Sequence, residues 1–300
     1  MQFLFKIFNF YLKASIHVAF AVISLAYVGA ESLDILLSKP LLICLFCGSI
    51  VGYNFIKYGV EAQYYIKVSK KAFLPIQILS VLAGLFAFYS LFKLPSFSYL
   101  MILLMGVFTS LYALPLLPTK KNLRGMAGVK IYIVAGVWAI ATVLLPLSAS
   151  GIQEFLGPFE IQEIAVEVTP LIANSVLDSF FWMGVFSLFF AHFTMVLVLM
   201  VPFEIRDGKR DHPTLQTIAQ KYGLFQAQRL GYLWIGIFLV LQFFNAYLFG
   251  WSPVIIGLQI GIAIVMAAAV YKSATTSFYF THFWVESIPI LYGLAWFLIS

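Results

Sequence analysis

A bundle of helices lying in a lipid bilayer is the fold class this sequence predicts, and three observations predict it. Of 300 residues, 62% are hydrophobic and 18% aromatic. Only 10% are charged, against roughly 25% in an average soluble domain. Apolar runs also recur along the whole length, each close to the about 20 residues that carry a helix across a bilayer core. One globular core cannot hide so much apolar surface, so lipid is the solvent for most of the chain. Backbone in hydrocarbon must satisfy its own hydrogen bonds, and the runs lack the alternation of barrel strands, so the spans are expected to be helices.

Residues 1–13 set Phe3, Leu4, Phe5, Ile7, Phe8 and Tyr11 against Lys6 and Lys13, the pattern of a helix lying in the interface. Nine spans follow, at 14–36, 40–57, 73–92, 97–117, 130–149, 178–202, 229–249, 252–271 and 282–299. The first lacks a small-residue cleavage site and exceeds a signal-peptide core, so it stays as a helix. Lys39 divides it from the second; Lys57, Lys67, Lys70 and Lys71 divide the second from the third, and Lys93 the third from the fourth. Lys120, Lys121, Arg124 and Lys130 precede the fifth. Residues 150–177, with Glu154, Glu160, Glu163 and Glu167, precede the sixth, and Arg206, Lys209, Arg210, Lys221 and Arg229 the seventh. The eighth ends at Lys272.

The N-terminus and the even-numbered loops thus hold 16 of the 18 basic residues. The positive-inside rule makes them cytoplasmic and places Ser300 outside. The expectation is one polytopic domain, 1–300, in the inner (plasma) membrane, with site loops at 54–71 and 201–228 facing the cytoplasm and 150–177 outside. The formal charge of +6 then reflects loop orientation and gives no reason to expect nucleic acid as a partner. Cys44 and Cys47 form a CxxC inside the run Leu41 to Val51, where cysteines act as small core residues.

The segment after the sixth span, VPFEIRDGKRDHPTLQTIAQKYG, carries Glu204, Asp207 and Asp211 at i, i+3 and i+7. On a helix they share one face. Carboxylates gathered in this way call for cations, and Mg²⁺ takes one or two carboxylates together with waters and substrate phosphate oxygens. Arg206, Lys209 and Arg210 stand beside them. A solvated loop of mixed charge has the same composition, so spacing alone leaves both readings open.

Glu204-Ile-Arg-Asp207-x-x-x-Asp211, followed by Thr214-Leu215 and Tyr222-Gly223, resembles the second aspartate-rich motif of the UbiA family of intramembrane prenyltransferases, D-x-x-D-x-x-x-D with a downstream T-L and G. The resemblance implies a nine-helix bundle with a cytoplasmic N-terminus and acidic motifs after helices two and six. It also implies Mg²⁺ as cofactor, holding the diphosphate of a polyprenyl donor, with Asp207 and Asp211 as catalytic ligands and Glu204 completing the metal set. Ionisation of the donor gives an allylic cation, which an aromatic or other lipophilic acceptor captures.

The first motif departs from the family pattern, N-x-x-x-D-x-x-x-D. Here Asn54 remains, while Tyr58 and Ala62 stand at the aspartate positions. A phenol and a methyl group cannot replace hard carboxylate ligands. Two side chains offer a repair. Glu61 returns to within about 20° of the Asn54 face on a continuous helix, unless Gly59 breaks it, and Lys57 offers an ammonium to bind diphosphate in place of a metal. Both also suit a solvated helix end.

Lys120 and Arg124, after Tyr112, offer further diphosphate contacts with Arg206 and Arg210, although the family's Y-x-x-x-K element has Leu116 at its last position. Gly48 with Gly52, and Gly257 with Gly261, are small-xxx-small pairs suited to close helix packing. His17, His192 and His282 stand isolated, with no HExxH, and neither GxxxxGK[ST] nor GxSxG occurs, which argues against zinc, nucleotide and nucleophile-elbow chemistries. Prenyl transfer is therefore the leading expectation. A catalytically inactive UbiA-fold relative that binds lipid or scaffolds other proteins is the alternative, favoured by the missing aspartates; the lack of a repeat argues against a transporter.

Overall fold

In this computed structural model the described residues are 2–59, 74–114, 128–150, 168–208, 218–275 and 277–300, and among them every regular element is a helix. The chain runs α1 (Gln2–Lys13), α2 (Ile16–Ser32), α3 (Lys39–Asn54, widening into a π-turn over Phe55–Gly59), α4 (Leu74–Leu91) and α5 (Ser96–Ala113). Then follow α6 (Lys130–Ala149, with a π-turn at Ile140–Leu144), α7 (Val168–Gly208), the short α8 (Ile218–Tyr222), α9 (Leu224–Phe249), α10 (Pro253–Lys272) and α11 (Phe280–Ile299, opening as a π-turn). Eight helices among the described residues are long and apolar enough to cross a membrane, and nine if α1 and α2 count as one bent span. The chain is an integral, multi-pass membrane protein.

α1 keeps Phe3, Leu4, Phe5 and Ile7 exposed, as an interfacial helix does. It meets α2 at 55° because Ser15 adopts the left-handed conformation, φ 62°. The first span is thus shorter than the apolar run suggested, with the bend placed at Ala14–Ser15. α7 is longer than predicted and runs unbroken through Pro202, so Glu204 and Asp207 stand on a continuation of the span.

α2 lies at the centre, packed on α3, α6 and α11, while α7 packs on α6 and α9, and α10 joins α9 to α11. Two glycines set the closest approaches to the backbone of a neighbouring helix. A Cβ at Gly29 would lie 2.2 Å from the Thr142 carbonyl oxygen on α6, and one at Gly293 would lie 2.8 Å from the Ser24 carbonyl oxygen on α2. The two small-xxx-small pairs expected to pack closely do not: a Cβ at Gly48, Gly52, Gly257 or Gly261 would meet nothing within 4 Å. Their spacing was right for packing, but the faces that carry them make no close helix contact. Cys44 is buried in the main core and Cys47 packs beside Ile50, both as free thiols.

Inside the bundle, Gln242 of α9 donates to Gln259 Oε1 of α10 and to the Tyr292 hydroxyl of α11, each at 3.0 Å, and accepts from Asn245 at 2.9 Å. All four side chains are buried. Hydrocarbon offers no competing partner for these groups, so they hold the three spans in register.

Candidate functional site

The ends of α3, α6, α7 and α11 meet where α1 turns into α2, at the end of the bundle that carries the basic loops. Helical spacing puts Glu204 and Asp207 one turn apart on α7. Between them sits the ammonium of Lys130, the first residue of α6, as an ion pair 2.9 Å from Glu204 Oε1 and 3.3 Å from Asp207 Oδ2. The other Glu204 oxygen accepts the backbone N–H of Ile218 at 3.2 Å, which anchors α8. The other Asp207 oxygen accepts Nε and Nη2 of Arg206 at 3.0 and 2.7 Å. Arg206 also donates to the Thr281 hydroxyl on α11 and lies over the Phe203 ring, 5.1 Å from its centre.

A second group lies across from this one. Lys57 donates to Ser15 Oγ at 3.0 Å and stands 6.0 Å from the centre of the Tyr53 ring. It interacts electrostatically with Glu286, which also acts on Arg206. Lys57 and Glu286 are both half-buried. Three cations, Lys57, Lys130 and Arg206, therefore face three carboxylates, Glu204, Asp207 and Glu286.

Asn54 is only 4% exposed, and its amide is fully used. It accepts from Ser15 Oγ at 2.8 Å and donates to the Ala14 carbonyl at 3.2 Å and to Ser80 Oγ of α4 at 2.9 Å. Tyr58, at the first lost aspartate position, donates to the Lys13 carbonyl at 3.0 Å. What the sequence marks as a degenerate ligand motif thus fastens the bend between α1 and α2. Phe55 is exposed.

Of the residues predicted for the site, Asn54, Lys57, Glu204, Arg206 and Asp207 converge on this end of the bundle. Glu61, Lys120, Arg124, Arg210 and Asp211 lie outside the described residues. Sequence reasoning missed the roles of Lys130, Glu286 and Thr281. Lys130 was read only as a loop charge, although a base at the very first position of an apolar run is already a signal. Glu286 is an acid within the ninth apolar run, and that position is the signal that could have found it.

The expectation that Glu204 and Asp207 present free oxygens to Mg²⁺ meets a different arrangement. Each of their four oxygens faces an ammonium, a guanidinium or a backbone N–H, and Asn54 is committed elsewhere. Among the described residues no three acidic, histidine or cysteine side chains are grouped to hold a metal ion. Mg²⁺ demands near-octahedral oxygen ligation at about 2.0–2.1 Å, which these engaged oxygens do not offer.

Beside α8 opens a cavity of about 450 Å³ lined chiefly by Tyr132, Ile218, Lys221, Tyr222, Gln226 and Leu230. It is amphipathic, and the Ile218 N–H held by Glu204 ties its wall to the acidic pair.

No protein-family model and no curated protein sequence matches the chain. Its structure is similar to the apo structure of a UbiA homolog from Aeropyrum pernix K1, with TM-score 0.64 and 14% sequence identity over 94% of this chain and 98% of that one. The fold is therefore of the UbiA type.

Proposed function

We propose that this protein binds a polyprenyl diphosphate at the cytoplasmic ends of its helices and transfers the prenyl group to an aromatic or other lipophilic acceptor. The observation that carries the reading is the convergence of Lys57, Lys130 and Arg206 with Glu204 and Asp207 at one end of a UbiA-type bundle. The positive-inside distribution supports placing this end in the cytoplasm of a cell whose plasma membrane houses the chain. Guanidinium and ammonium groups in a site of restricted water stabilise the charge that gathers on a departing diphosphate. In the transfer the carbon–oxygen bond of the donor breaks and the diphosphate keeps the electron pair. The allylic cation then forms a bond to the acceptor, which sheds a proton. The cavity beside α8 is amphipathic enough to take a lipophilic group next to the charged pair.

A second reading is favoured by one specific observation. Asn54 and Tyr58 are spent on the α1–α2 bend, so neither of these two side chains supplies a ligand, which suits a relative that holds a lipid diphosphate without turning it over.

The test uses detergent-purified protein, a polyprenyl diphosphate of defined length and a panel of aromatic acceptors, with binding and diphosphate release measured together. Saturable binding that weakens at least about tenfold in the Lys57→Met, Arg206→Gln double variant is expected. Release of diphosphate supports transfer, and binding without release supports the second reading. Absence of binding at every chain length overturns both.

A further inference from the structure

We infer that Lys130 is the resident cation of the acidic motif: its ammonium stands where a divalent ion would bridge Glu204 and Asp207, and it makes this pair independent of metal. The inference goes beyond the proposed function, and its central test does not depend on that reading.

Geometry and charge lead to it separately. The ammonium is within 2.9 Å of one carboxylate and 3.3 Å of the other, which is bridging geometry. Side-chain exposure is 14% for Lys130, 4% for Glu204 and 23% for Asp207, so the contact is shielded from water and weakly screened. With Arg206 on the remaining Asp207 oxygen, two negative charges meet two positive ones and the group is neutral. A divalent ion entering between the carboxylates would lie beside an ammonium in a medium of low dielectric, with two surplus positive charges. To bind, it would have to displace the Lys130 ammonium from both carboxylates at once. Glu204 is fixed as well, since its second oxygen caps the backbone of α8.

The consequence is a specificity rule: the Glu204–Asp207 pair discriminates against divalent cations, and anions reaching this end of the bundle meet protein cations in place of a metal at this pair. Removing the Lys130 charge should convert the pair into a metal site. A buried pair that loses one partner is strongly destabilised, and a ligand that binds only the folded state restores stability.

The experiment compares wild type with Lys130→Met and Lys130→Arg in detergent, using Mn²⁺ as a paramagnetic probe read by electron paramagnetic resonance, and thermal unfolding with and without Mg²⁺. Wild type and Lys130→Arg are expected to hold no site-bound Mn²⁺ and to unfold at the same temperature in EDTA and in Mg²⁺. Lys130→Met is expected to unfold earlier in EDTA, to be restored by Mg²⁺, and to hold site-bound Mn²⁺ that wild type does not, an effect lost on adding Asp207→Asn. Wild-type Mn²⁺ binding that disappears in Asp207→Asn overturns the inference, as does a folded Lys130→Met that binds no Mn²⁺. Should Lys130→Met fail to fold in every buffer, Lys130→Gln and wild-type Mn²⁺ binding decide on the same criteria. If polyprenyl diphosphate binds wild type equally in EDTA and in Mg²⁺, metal independence extends to the ligand. A strict Mg²⁺ requirement that Asp207→Asn abolishes refutes it, whereas failure of any diphosphate to bind overturns the proposed function alone.

Discussion

Replacing Asn54 with alanine separates a ligand from a fastener. Asn54 makes three side-chain hydrogen bonds, to Ser15, Ala14 and Ser80, and all of them stay within the protein. Side-chain bonds inside membrane proteins are worth about 0.6 kcal/mol each on average, rising to about 1.5 where a buried group is left without a partner. Ser15 keeps Lys57, and Ser80 keeps the Ile76 carbonyl, so only the Ala14 carbonyl is orphaned outright. The expected cost is about 2–3 kcal/mol. Reversible unfolding in mixed detergent and SDS micelles measures it. A double-mutant cycle with Ser15→Ala should return a coupling of about 0.5–1 kcal/mol. If Asn54→Ala leaves stability unchanged while diphosphate or metal binding collapses, Asn54 is a ligand, and the role assigned here to the first motif is wrong.

Three further outcomes follow from the packing. Lys57→Met strips Glu286 of a half-buried partner and should cost about 1–2 kcal/mol after solvent screening, with Glu286→Gln in the same chain recovering most of it in the same unfolding assay. Gln242→Leu removes two bonds that join α9 to α10 and α11 and a third to Asn245 within α9, and should cost about 1–2 kcal/mol while leaving diphosphate binding at the far end intact. Gly29→Ala puts a methyl group 2.2 Å from backbone and should destabilise by more than about 2 kcal/mol, whereas Gly48→Ala should stay within about 0.5 kcal/mol, an ordering that thermal unfolding reads directly.

Span positions were legible because apolar run length is a one-dimensional property that the bilayer imposes from outside. The bend at Ser15 was not, since a serine at positive φ is held by Asn54 and Lys57 from another helix, and no local signal in Lys13-Ala14-Ser15 announces it. The glycine pairs show the same limit: Gly48 and Gly52 share a helix face, but which face meets a neighbour is decided by the whole bundle, and Gly29 and Gly293 were chosen instead. At the site, Glu204 and Asp207 were legible through spacing. Lys130 was hidden because it lies 77 residues from Asp207 and satisfies the positive-inside rule equally well as a loop charge.

The two regions that the resemblance marks as motifs reach one electrostatic result in different ways. In the first, Tyr58 and Ala62 stand where the pattern has aspartates, and Asn54 and Tyr58 bond to backbone and hydroxyl partners at the bend. In the second, carboxylates persist and are matched by Lys130 and Arg206. Had the first region kept its aspartates beside the same lysine and arginine, the extra negative charge would have required further cations, and a divalent ion is the compact way to supply them. With those aspartates gone, two tethered side chains suffice for charge balance in a poorly hydrated pocket. The expectation is that the charge of the first region and the engagement of the second depend on each other. Restoring Tyr58→Asp alone should introduce an unmatched charge beside Lys57 and lower stability, and adding Mg²⁺ should rescue the fold only if Lys130 is removed as well; thermal unfolding of the single and double variants in EDTA and Mg²⁺ checks this, and rescue of Tyr58→Asp with Lys130 in place would show that the two regions are independent.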